Sequence, residues 1–152
     1  MSGVSAVRQW AMSIGKYTPE ISTLAKAAIV RIRRQLPGAV ELVYDNYNAL
    51  VMAFGPSERA SEAVVSIALY PRCVNLFFLQ GATLSDPQRL LKGSGARVRR
   101  IELQDAAVVD TKPVRALVAQ AVKACRNPWP RNRRRRMVVR AVSDKQRPRR
   151  PR

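Results

Sequence analysis

Apolar positions recur with a helical period early in the chain and with a strand period after it. Ile21, Leu24, Ala25, Ala28, Ile32 and Leu36 share one face of a helix. Thr18 offers a side-chain oxygen as N-cap, Pro19 suits the first helical position, and Glu20 favours the positive end of the helix dipole. Lys26, Arg33 and Arg34 fall off the stripe, and Pro37-Gly38 ends the element. A shorter helix is expected over residues 4–14, stopped by Gly15.

Beyond Gly38 the pattern shortens. Residues 40–45 predict a strand, Asn46-Tyr47-Asn48 a turn, residues 49–54 a second strand, and Gly55-Pro56-Ser57 another turn. Residues 63–70 predict a third strand and residues 73–79 a fourth, the most apolar, ended by Gly81. Asp86-Pro87 and Gly93-Ser94-Gly95 mark the next connection, with room for one helical turn, and residues 97–103 predict a fifth strand. A last helix begins near Thr111, with Val114, Leu117, Val118, Ala121 and Cys125 on its apolar stripe. Asn127-Pro128-Trp129-Pro130 stops it. The order is helix, about five antiparallel strands, helix, an α+β two-layer sandwich with helices on one sheet face.

Three regions follow. Residues 1–17 form a short helix or extension, residues 18–126 the domain, and residues 127–152 a basic C-terminal extension. Residues 137–143 suit an edge strand, while the segment from Lys145 onward has nothing apolar to bury and is expected to be disordered.

Charge sharpens this division. The 152 residues carry 28 Lys and Arg against 10 Asp and Glu, with no His, for a net charge of +18. Residues 126–152 hold 12 of those bases and one acid, so +11 of the +18 belongs to the extension and +7 to the rest. Such a balance points to anionic partners. The absence of His excludes Ser-His-Asp and Cys-His catalysis and any imidazole metal site. Cys73 and Cys125 form no Cys-x-x-Cys pair and are expected to be structural thiols in a reducing, cytoplasmic setting. No run approaches the ~18 apolar residues of a membrane span, and the N-terminal stretch lacks the apolar centre of a signal peptide.

The stretch from Glu41 to Leu103 resembles the bacterial YdhG-like family. The most specific parts are Leu76-Phe77-Phe78 running to Gly81, then Asp86-Pro87, then Leu90-Leu91-Lys92-Gly93-Ser94-Gly95 leading to Arg99. The start at Thr18 and the basic close from Lys145 resemble one subgroup of it. The resemblance implies a frataxin-like fold of helix, antiparallel sheet and helix, and little chemistry. With no His and no acid–base pair at a telling spacing, the expected role is a noncatalytic binding module with an unidentified ligand or protein partner. The resemblance also implies, through one branch of the family, an iron-delivery role. Against iron, residues 18–36 carry one acid, Glu20, beside Lys26, Arg31, Arg33 and Arg34, a surface that repels Fe²⁺.

Two binding sites are candidates. A small anion would meet Gly93, Ser94 and Gly95 with Arg97 and Arg99, and Tyr44, Asn46 and Tyr47 could line the open sheet face. The plain alternative is a glycine turn entering an edge strand with solvated arginines. A polyanion such as nucleic acid would meet Trp129, Arg131, Arg133, Arg134, Arg135, Arg136, Arg147, Arg149 and Arg150, with Trp129 stacking on a base. Its plain alternative is a solubilising tail. No catalytic residue, cofactor or metal site is assigned. Phe77 and Phe78 alternate across the sheet, so one packs under a helix and the other faces away.

Overall fold

The computed structural model describes residues 5–152. Val4, where the first helix was expected to begin, lies outside the described residues. Helix α1 (Ala6–Ile14) is capped by Ser5, whose hydroxyl accepts from the Arg8 N–H at 3.2 Å. Helix α2 (Pro19–Gln35) is capped by Thr18 and buries Ile21, Ala25, Ala28, Ile29 and Ile32. The antiparallel run comprises β1 (Val40–Asp45), β2 (Leu50–Gly55), β3 (Val65–Leu69), β4 (Val74–Phe78) and β5 (Arg99–Glu102). Helix α3 (Lys112–Lys123) follows, then β6 (Arg136–Val142).

The protein is α+β, as expected, but among the described residues its sheet has six strands and is mixed. The order is β5-β4-β3-β2-β1-β6, with β6 parallel to β1. The edge strand anticipated at 137–143 therefore forms one residue earlier and extends the sheet on the β1 side. Its direction follows from the α3 crossover, which returns the chain to the end where β1 starts. In the connection before β5, Asp86 accepts from the N–H groups of Leu90 and Leu91 at 3.0 and 2.9 Å and closes a single turn.

The two sheet faces differ. Val43, Met52, Ile67, Leu76 and Phe78 join the helices in the main core. Val40, Leu42 and Ala53 form a smaller cluster on the opposite face, with Ala63. Phe78 is the phenylalanine under the helices; Phe77 lies half-buried on the other side. Alternation along β1 also turns two acids inward with Val43. Glu41 meets α2, and Asp45 accepts from Ser13 Oγ of α1 at 2.7 Å.

The end of the chain is ordered, a correction to the expected disorder beyond Lys145. Arg149 is 6% exposed and is held by Asp45, by the Asn46 carbonyl and by the Tyr47 carbonyl. A buried carboxylate at the end of β1 supplies the partner that composition alone does not reveal.

Candidate nucleic-acid interface

Between α3 and β6 the chain makes an arginine-bearing turn tied to the Pro37-Gly38 segment. Pro128 and Pro130 forbid continuation of the helix, and Trp129 swings inward against the main core. Its indole Nε1–H donates to the Pro37 carbonyl at 3.0 Å. Gly38 receives the turn at close range. Its φ is +79°, and a Cβ there would stand 1.9 Å from the Pro130 carbonyl oxygen. Only glycine suits both the backbone conformation and the approach. The N–H groups of Arg131 and Arg133 then donate to the carbonyls of Trp129 and Pro130, at 2.9 and 3.0 Å.

This anchoring leaves Arg131, Arg133 and Arg134 exposed on a fixed backbone. Among the described residues none of the three has an ion-pair partner within 4.0 Å. Nearby acids are already engaged. Glu41, 1% exposed, takes a bidentate pair from Arg33 at 2.8 and 2.9 Å and a third contact from Arg135 at 3.5 Å. Glu58 pairs with Arg136. Arg140 is exposed at the β-bulge, where Val43 pairs with Val139 and Tyr44 with Ala141, so it opposes no β1 residue. The result is a basic turn leading into a basic sheet edge. Charge along such an edge also discourages strand pairing between molecules.

The other residues of the expected polyanion set lie elsewhere. Arg147 rests over the Tyr47 ring at 5.8 Å, and its N–H donates to the Tyr47 carbonyl at 2.9 Å. Arg149 is buried, with its guanidinium 5.7 Å from the Tyr17 ring. Arg150 Nε donates to the Lys16 carbonyl at 3.1 Å. Trp129 is half-buried, packed against the main core with its indole N–H bonded inward, and so fastens the turn.

The residues named for a small anion fall into two groups. Gly93, Ser94, Gly95, Arg97 and Arg99 lie at the β5 edge, whereas Tyr44, Asn46 and Tyr47 lie on β1 and its turn, with three strands between. Arg99 Nη1 donates back to the carbonyls of Gly95 and Val98, so the glycine loop turns carbonyl oxygens toward its own arginine. Asn46 and Tyr47 give their carbonyls to the C-terminal segment. The structure does not gather these eight residues into one site.

Sequence patterns missed the two acids that organise the basic groups. Glu41 and Asp45 sit at inward positions of β1, a placement that charge counting along the chain does not expose. Their alternation with Val43 is the available signal. Burial pushes both cysteine thiols up from their ordinary pKa, and both are unpaired. Among the described residues no three His, Cys, Asp or Glu side chains group closely enough to hold a metal ion, and no helix is long and apolar enough to cross a membrane. No family model, curated protein or solved structure matches the chain.

Proposed function

We propose that this chain is a noncatalytic binding module of the YdhG-like type, cytoplasmic, that docks the phosphate backbone of nucleic acid. The supporting observation is the turn at 131–134, where three arginines without acidic partners project from backbone locked to Pro37 and Gly38. A guanidinium offers two parallel N–H donors to phosphate oxygens, and one carried on anchored backbone gives up less backbone freedom on binding than one on a mobile tail would. Each phosphate neutralised releases counterions, so the affinity is salt-sensitive and independent of base sequence.

A nucleic-acid partner is favoured over an anionic lipid surface by what the segment lacks. Interfacial membrane binders set aromatic or leucine side chains beside their cations. Here the aromatic residue, Trp129, faces the core, and residues 131–136 are Arg and Asn alone. An NMR titration of the full chain with a short DNA duplex tests the reading. Amide shifts concentrated at residues 131–136 and Arg140 are expected. Shifts confined to other surfaces, or tighter binding to phosphatidylserine vesicles than to the duplex, would contradict it.

A further inference from the structure

A second site lies away from the arginine turn, where the end of α3 meets the connection between β2 and β3. A pocket of about 380 Å³ opens there. Its floor is apolar and firm: Val64 and Phe78 belong to the main core, with Leu84 and Ala121 packed half-buried beside them. The size is at the small end of ligand pockets, which combine apolar walls with a few placed polar groups.

The walls are tied together by one carboxylate. Glu62 Oε1 accepts from Ser57 Oγ at 2.6 Å, and Oε2 accepts from Asn127 Nδ2 at 2.9 Å. Those bonds link the turn after β2 to the segment after α3. The Ser57 hydroxyl is also the main reason that Glu62 sits below the usual carboxylate range, so the link stays ionised at neutral pH. Both oxygens being engaged, Glu62 is poorly placed to receive a cationic ligand. Arg59 and Arg126 also line the pocket, both exposed. Among the described residues neither is in an ion pair. Arg59 also acts on the ionised Glu62, so the three charges lining this mouth sum to one positive, with Arg126 the less compensated cation.

From this juxtaposition we infer that the pocket binds a small amphipathic monoanion, its apolar body on Val64, Leu84 and Ala121 above the buried Phe78 and its anionic end at Arg59 and Arg126. This is independent of the nucleic-acid reading, since it involves none of residues 131–136. Cys125 lines the pocket and Cys73 does not, so the two thiols report on it from within one molecule.

The test uses octanoate as probe and 1-octanol as its neutral counterpart. Octanoate is expected to slow alkylation of Cys125 saturably, as followed by mass spectrometry, and to leave Cys73 unaffected. Octanol should protect more weakly. Arg126→Glu is expected to weaken octanoate protection about tenfold, the equivalent of one charge-assisted hydrogen bond, and to leave octanol protection unchanged. Ala124→Trp, on the pocket wall, should abolish protection by both. Equal protection of the two thiols, none of either, or protection by octanol as strong as by octanoate would overturn the inference. So would octanoate protection insensitive to Arg126→Glu.

Discussion

Arg149 Nη2 lies 2.9 Å from Asp45 Oδ1, and this contact joins side chains 104 positions apart, 4% and 2% exposed. Asp45 also accepts from Ser13, so one carboxylate holds α1, β1 and the C-terminal segment. Removing one member of a buried pair leaves the other charge without compensation, which costs about 3 kcal/mol or more. Arg149→Met should therefore lower the free energy of unfolding by about that amount in urea titrations. Asp45→Asn together with Arg149→Met should cost less than the two single changes summed. Additive losses would show that the pair is not coupled.

Gly38 sets the position of the arginine turn. Alanine there must adopt a positive φ and displace the Pro130 carbonyl, a backbone strain of about 1–3 kcal/mol. Gly38→Ala is expected to destabilise the protein in that range and to speed tryptic cleavage at residues 131–136 relative to the rest of the chain. Equal protection of this segment in variant and parent would contradict the anchoring role.

Trp129 is a fastening and not a stacking platform. Trp129→Leu keeps much of the apolar packing, loses the N–H bond to Pro37 at a cost of about 1 kcal/mol, and leaves no aromatic ring that could stack on a base. Duplex affinity should change less than twofold, since base stacking is worth about 1–3 kcal/mol per base and its loss would weaken binding at least fivefold. Anisotropy titrations at one salt concentration distinguish the two outcomes.

Tyr17 gives the fold an alkaline limit. It is 1% exposed, donates to the Leu69 carbonyl at 3.0 Å and accepts from the Leu50 N–H at 3.1 Å. Burial, the largest influence, pushes its pKa from the ordinary phenol value of 10.0 to about 12. The neutral phenol is thus favoured in the folded state, so its contribution is intact below pH 10.0 and is lost as the pH rises through about 12. The Tm should fall across that interval. Tyr17→Phe should be less stable at neutral pH and show a smaller fall.

Local signals carried most of the architecture. Thr18-Pro19 and the apolar stripe after it are short-range features, and α2 forms where they place it. The strands before Gly81 likewise follow turn residues and apolar runs. What was illegible depends on long-range pairing. Residues 145–152 look like a disordered basic tail until Asp45 is known to face inward, because nothing near Arg149 in sequence offers it a partner. The parallel placement of β6 depends on the path after α3, which apolar spacing does not encode. Of the basic residues named from sequence, Arg131, Arg133 and Arg134 stand free, while Arg149 is buried and Trp129 turns inward. Their division is set by Pro37, Gly38 and β1, not by charge density.

The most direct measurement is the salt dependence of duplex DNA binding for the parent chain and for a variant carrying Arg131→Gln, Arg133→Gln and Arg134→Gln. Each phosphate contact contributes about 0.9 to the slope of log affinity against log salt, so losing three should reduce its magnitude by about 2.7. The thermal stability of the variant should match that of the parent, because these side chains are exposed and, among the described residues, outside the ion pairs. The same slope in both proteins would mean that the arginine turn does not carry the interaction.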